Sequence, residues 1–231
     1  MRVKGPIIKP ARITPQDVTS RLYEVRRPLA LGVLALALLG SGWWGYRAWQ
    51  GRREDAAQAV LTQALQTLGR LPEPKEGEKA LSEPSGQVER GLELLIRLRQ
   101  EYPSSDAAEQ ALLQIGTLSY QGGEHQKALK AYQDYLEQYP TGPWMILAGL
   151  GKGYALEALE RYEAAAATFR TLTEAYKGHT LTVEALMGLA RSLMRLDRQP
   201  EALAAYRRVI EEYPATRWAD QAEEAAAFLE R

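Results

Sequence analysis

The chain contains no cysteine. That excludes disulfides, thiol nucleophiles, cysteine-held metals and a lipid-modified cysteine. Histidine is nearly as scarce. His125 and His179 are the only two, each at the start of a helical pattern, and neither stands near a second histidine or a paired carboxylate at ligand spacing. They are expected at the surface, and no metal or other cofactor is expected. A phosphate-binding loop is missing as well. Gly149, Gly151 and Gly153 alternate inside a helical pattern rather than after a strand, so close helix contacts explain them and a dinucleotide site does not. No serine or aspartate sits in a nucleophile motif, and an enzyme is not expected. Net charge is also absent, because 29 basic residues cancel 29 acidic ones. The cancellation hides a division. Residues 1–27 hold seven basic residues against Asp17 and Glu24, a balance of +5, which leaves −5 for the remainder. An acidic remainder lacks the clustered lysine and arginine that phosphate backbones need, so nucleic acid is not an expected partner.

What is present is a repeat. Tyr102, Tyr139, Tyr176 and Tyr213 stand 37 residues apart, and Pro103, Pro140 and Pro214 follow three of them. Ala128, Ala165 and Ala202 keep the same register, as do Tyr132, Phe169 and Tyr206, and so do Gly116, Gly153 and Ala190. Ala111, Ala148, Ala185 and Ala222 form a further set. Between them apolar residues recur at three- and four-residue steps, as in Ala128, Tyr132, Tyr135 and Tyr139, which is one face of a helix. Each unit reads as two antiparallel helices. Small residues let the axes approach, the aromatic fills the gap between neighbouring pairs, and proline closes the second helix. A chain built from copies of one unit is a solenoid, which binds proteins along an extended surface and argues against one deep catalytic pocket.

The ends of the array are irregular. Gly91, Leu95, Leu98 and Pro103 fit the second half of an earlier unit, but its first half falls in a stretch rich in proline, glycine and glutamate. A helix over 54–68 is expected to supply the missing partner, with a loop at 70–87 inserted between. At the other end Trp218, Ala222, Ala225, Phe228 and Leu229 are expected on one stripe of a capping helix.

These residues resemble the tetratricopeptide repeat. Its pattern of small residue, second small residue, aromatic and closing proline is met by Gly116, Ala128, Tyr132 and Pro140, and by Ala190, Ala202, Tyr206 and Pro214. Gly153, Ala165 and Phe169 match too, with Lys177 in place of the proline. The family's unit is about 34 residues, so three extra residues lengthen either the helices or a link. The resemblance implies an all-α, tetratricopeptide-like helical-hairpin solenoid over residues 47–231, with about three full repeats, a partial one and a capping helix. It also implies a concave groove lined by the first helix of each pair: Leu113, Thr117 and Tyr120, then Leu150, Tyr154 and Glu157, then Met187, Arg191 and Met194. Leu113, Leu150 and Met187 are expected as an apolar stripe, with Tyr120, Tyr154, Arg191 and Arg195 adding amphipathic and charged contacts. Such a groove suits an extended or helical peptide with apolar anchors. The inserted loop or a second copy of the chain is the alternative occupant.

Residues 28–46 carry no charge over 19 residues. As a helix they span about 28 Å, close to the thickness of a bilayer's hydrocarbon core. Trp43, Trp44, Tyr46 and Trp49 cluster at one end, where amphipathic rings prefer the membrane interface. A single transmembrane helix is expected. A cleaved leader is the alternative, but the 27 residues before it are long for one. The positive-inside rule places the basic tail, 1–27, in the cytoplasm and the repeats across the membrane, which in a bacterium is the periplasm. Thr14, Pro15 and Asp17 suggest a helix start within that tail, with Val18, Leu22 and Val25 on one face; a disordered tail is the other reading.

A basic tail, one span with aromatics at its outer edge and then a repeat domain is a layout that resembles the ancillary SecYEG translocon subunit family. The residues that carry it are RITPQDVTSRLYEVRRPLALGVLALALLGSGWWGYRAW and the following EDAAQAVLTQAL. It implies association with the secretion channel and with periplasmic chaperones. YPSSDAAEQALLQIGTLSYQGGEHQKALKAYQDYLEQYP and YRRVIEEYPATRWADQA also look like the Tol-Pal-associated cell-division coordinator and the outer-membrane assembly lipoprotein. The latter needs the lipidated cysteine that this chain lacks. Three functions are expected from these resemblances. The first is a membrane-tethered scaffold that holds translocon subunits, chaperones or secreted clients. The second is an assembly factor of another envelope machine (cell division, Tol-Pal, pilus or secretion apparatus), and the third an accessory subunit of a membrane enzyme.

Overall fold

The computed structural model describes residues 15–69 and 86–230 of the chain, with side chains from residue 36 onward except residue 37. Among the described residues there are nine α-helices and no strand. They are α1 (Pro15–Leu68), α2 (Gly86–Glu101), α3 (Asp106–Gln121), α4 (His125–Gln138), α5 (Met145–Ala158), α6 (Tyr162–Ala175), α7 (Thr182–Arg195), α8 (Gln199–Glu212) and α9 (Arg217–Leu229). The chain divides into two compact units, residues 1–52 and residues 53–231.

In the first unit α1 starts at Pro15, the position where a fixed φ suits a helix's first turn. The span expected at 28–46 is not carried by the described side chains. Among the described residues no helix is long and apolar enough to cross a membrane. Residues 28–35, which hold most of the leucine and alanine, lie outside the described side chains, and the apolar stretch beyond them is interrupted by Gly40, Ser41 and Gly42. Leu36, Leu38, Leu39, Trp43, Trp44, Tyr46 and Trp49 are all exposed. Arg47 lies over the Trp43 ring, 5.2 Å from its centroid.

The second unit is built hairpin by hairpin. Each helix from α2 to α9 packs on its successor, and α3, α5, α7 and α9 also touch in sequence as alternate neighbours. From α5 to the start of α7 the 37-residue period resolves into two 14-residue helices, a three-residue link within the hairpin and a six-residue link to the next, whereas α3 has 16 residues and the links before α3 and α9 have four. The residues beyond 34 therefore lie in the outer link, since an outer link as short as the inner one gives a 34-residue unit. The inner links share one geometry. Gly123, Glu160 and Asp197, 37 apart, all adopt positive φ, at 76°, 59° and 57°. The next N–H then bonds back into the helix, from Glu124 to Ser119 O (2.8 Å), Arg161 to Leu156 O (2.9 Å) and Arg198 to Leu193 O (2.9 Å). Left-handed residues with this return bond close helix C-termini generally. The four tyrosines of the repeat are C-caps or lie just past a helix end, and all are half-buried.

Two registers of small and aromatic residues hold the hairpins together. The Tyr132 ring lies against Gly116 of its own hairpin, where a Cβ would stand 2.7 Å from Cε1, and against Gly151 of the next. The Phe169 ring is clasped in the same way by Gly153 and by Gly188, whose Cβ would stand 2.6 Å from Cζ. The aromatic is thus a wedge between successive first helices, and glycine is needed where the ring arrives. Residues 53–68 of α1 stand as the first helix of the earliest pair: Ala57, Leu61 and Ala64 are buried with Leu95, Leu98, Ala107, Ala108 and Ala111. Glu54 accepts hydrogen bonds from the N–H groups of Asp106 (3.1 Å) and Ala107 (3.3 Å), an anion on the N-terminus of α3. Ser105 and Thr216 cap α3 and α9 through their hydroxyls. The expected loop at 70–87 lies outside the described residues up to residue 85, and α2 begins at Gly86.

One expectation about α9 is corrected. Its buried stripe is Ala219, Ala222 and Ala226, with Trp218, Ala225 and Leu229 half-buried beside it. Phe228 is 72% exposed and lies off that stripe.

Candidate functional site

The first helices α3, α5, α7 and α9 lie side by side, and the repeat period arranges their outer positions in rows. One row is Thr117, Tyr154 and Arg191, and another is Tyr120, Glu157 and Met194, each 37 residues apart. A third, Leu113, Leu150 and Met187, was expected as an apolar stripe. Leu113 and Leu150 are instead core residues, 8% and 3% exposed, and Met187 is half-buried. The cause is the direct abutment of α3 on α5 and of α5 on α7, which shuts the row that faces the neighbouring helix. Thr117, Tyr120, Tyr154, Glu157 and Met194 are half-buried, and Arg191 is exposed.

The rows are tied across hairpins by hydrogen bonds. The Tyr154 hydroxyl donates to Glu184 Oε2 (3.2 Å), and its ring meets Phe169 at 5.5 Å between centroids. Arg191 donates to Glu157 Oε2 (2.6 Å) and lies 5.7 Å from the Tyr154 ring centroid. Ser192 donates to the other oxygen of Glu157 (2.9 Å). Arg195 repeats the arrangement one turn on, donating to the Tyr162 hydroxyl (2.9 Å) over that ring. At the other end Thr117 donates to Leu113 O (3.1 Å) and meets the Tyr132 hydroxyl at 3.3 Å.

These contacts shape the titration of the face. Burial, then the Glu184 carboxylate, pushes the Tyr154 phenol well above its ordinary value. Burial pulls the Arg191 guanidinium down, but the hydrogen bond and charge of Glu157 carry it above its usual value. Burial raises the Tyr132 and Tyr206 phenols as well. The middle of the face is therefore a neutralised network of rings and methylenes whose charges are spent on one another. Chemistry that is left over lies at its edges. Gln110, Gln114 and Gln121 on α3 have no hydrogen-bond partner among the described residues, and Leu147 and Arg195 are exposed. Gln110, Leu147 and Glu184 escaped sequence reasoning although they stand 37 residues apart in the register that found the other rows, and Gln114 escaped it too.

The histidines do other work. His179 accepts at Nδ1 from the Leu181 N–H (3.1 Å) in an outer link. His125 is half-buried rather than at the surface, its ring 5.2 Å from Tyr120. Among the described residues no group of three histidine, aspartate or glutamate side chains is placed to hold a metal ion.

Comparison with known proteins agrees with this architecture. Tetratricopeptide repeat models match residues 110–142 and residues 150–215. No curated protein matches the chain. Among solved structures, residues 41 to the end of MamA from Desulfovibrio magneticus RS-1 superpose with a TM-score of 0.58 at 16% identity, covering 76% of this chain and 84% of that one. MamA AMB-1 superposes with a TM-score of 0.53 at 15% identity, covering 77% and 80%. At such identities the likeness is one of fold. The fold is a tetratricopeptide-like helical-hairpin solenoid, a scaffold suited to protein–protein interaction.

Proposed function

We propose that the chain is a membrane-anchored interaction scaffold that receives a polypeptide segment along the α3–α5–α7 face and carries no catalytic centre. The observation that carries this is the row Thr117, Tyr154 and Arg191. It is continuous across three hairpins, and its polar groups are satisfied internally, so it offers rings and methylenes at low desolvation cost. The anchor reading rests on the uncharged composition of 28–46 taken whole and on the exposed Leu36, Leu38, Leu39, Trp43 and Trp44. Those five point to all sides of α1, and a helix apolar all round matches lipid rather than a one-sided groove. With the +5 tail inside, the repeats lie on the periplasmic side of a bacterial inner membrane. Their partners there are translocon subunits, chaperones or secreted clients. The alternative is assembly of another envelope machine, with a single stoichiometric partner.

A photo-crosslinking amino acid at Tyr154 in intact cells, followed by mass spectrometry, tests the proposal. Adducts to secretion-channel subunits or to many secreted chains are expected. One adduct to a division or envelope-assembly protein supports the alternative. An adduct only to a second copy of the chain, or none, rejects the receiving face.

A further inference from the structure

The rows of the face do not stop at α7. Counting 37 residues on from Arg191 gives Phe228, and from Met187 gives Glu224, both exposed on α9, which packs directly against α7. Thr117, Tyr154, Arg191 and Phe228 are thus successive rungs on four adjacent first helices. The inner rungs have spent their polar groups on one another, whereas Phe228, at 72% exposure, is the most exposed large apolar side chain among the described residues of 53–231. Glu224 lies one turn before it on the same face, with Asp220 a further turn back. Neither carboxylate has an ion pair or hydrogen bond among the described residues. Arg217, also on that face of α9, has its guanidinium over the Trp218 ring, 4.7 Å from the centroid.

We infer that Phe228 and Glu224 form the selective end of the receiving face and take, from an extended partner polypeptide, an apolar residue flanked by lysine or arginine. Charge complementarity chooses this partner: an aromatic platform beside unpaired carboxylates attracts a basic flank and repels an acidic one. The inference rests on the receiving-face reading and adds the chemistry of the ligand to it.

The test uses the full chain in detergent micelles and two sets of randomised 12-residue peptides. Each peptide carries one photo-reactive leucine, flanked by lysines in one set and by glutamates in the other. The lysine set is expected to bind at least about tenfold more tightly and to crosslink to α9. Phe228→Ala is expected to weaken its binding about tenfold with melting unchanged, and Glu224→Gln to reduce the preference for lysine. Equal binding of the two sets, or no binding of either, overturns the inference, as does indifference to Phe228→Ala. Adducts confined to α3, α5 and α7 overturn it while leaving the receiving face standing. Adducts elsewhere on the chain overturn both.

Discussion

The ring wedges give the sharpest quantitative expectation, and Phe169 is the place to apply it. Its side chain is fully buried between Gly153 and Gly188. Phe169→Ala removes the ring and leaves a cavity between two hairpins, at a cost of about 3–5 kcal/mol. Gly188→Ala acts from the other side. Its new Cβ falls 2.6 Å from Phe169 Cζ, inside any real carbon contact, and the ring cannot retreat because Gly153 backs it. Overpacking of this kind costs about 1–3 kcal/mol, offset by about 1 kcal/mol of helix propensity gained over glycine. In the double variant the clash is gone, the methyl fills part of the cavity and the propensity gain survives. The two losses should therefore fail to add by about 1–3 kcal/mol, with the double variant more stable than the sum predicts. Urea denaturation monitored by circular dichroism at 222 nm on all four proteins measures the coupling. Additivity within about 0.5 kcal/mol refutes the wedge.

Other expectations rest on the same geometry. Glu160→Gly and Asp197→Gly relieve left-handed backbone at φ 59° and 57°, and each should raise stability by about 1 kcal/mol in the same denaturation assay. Tyr135→Phe should cost about 1–3 kcal/mol, because the Tyr135 hydroxyl donates to Glu109 (2.5 Å) and accepts from the Trp144 N–H (3.0 Å), and both partners are left unsatisfied. Tyr132, Tyr135, Tyr139, Tyr154 and Tyr206 all have phenol pKa values raised above 10.0, burial being the leading cause. A folded pKa above the unfolded one means that the unfolded chain gives up its proton first. Stability is then full below pH 10 and falls above it, by at most about 1.4 kcal/mol per pH unit per tyrosine. Melting at pH 8 and pH 11 should differ accordingly, and the Tyr154→Phe protein should lose less of its stability over that interval.

Sequence periodicity located the hairpins because it records the packing that repeats. Gly116, Tyr132 and Pro140 recur because each hairpin must meet the next at the same distance, so register alone finds wedge and cap. The receiving face was legible only in part, because the signal that places a residue on a row does not say how far the neighbouring helix closes over it. Leu113 and Leu150 keep the register of Met187, yet are buried by the contacts of α3 with α5 and of α5 with α7. Phe228 fails in the opposite sense. Helical spacing grouped it with Trp218 and Leu229, whereas alanines supply the buried stripe of α9. A large apolar residue in an amphipathic helix is counted inward by any spacing rule, and small buried residues weigh too little to correct it.

Function in such an array must lie where the repeat departs from itself. Positions that hold hairpin to hairpin vary only within one chemical kind, as in Tyr132, Phe169 and Tyr206 or Gly116, Gly153 and Ala190, since one backbone geometry admits one shape of wedge. A surface made only of repeated residues also has no register for an extended ligand, which could slide by one unit at no cost. The outer row breaks that degeneracy, because its rungs are threonine, tyrosine, arginine and phenylalanine on an otherwise regular frame. Sliding a bound segment by one hairpin exchanges an amide-lined rung beside Gln114 for an aromatic one at Tyr154, or a guanidinium paired with Glu157 at Arg191 for an exposed ring at Phe228. Each exchange leaves a mismatched polar or apolar group, at about 1–3 kcal/mol for a polar group left unsatisfied. On the proposed receiving face the irregular row would fix both the position and the direction of a ligand, and reversing the order of a bound peptide's residues should weaken it even though its composition is unchanged.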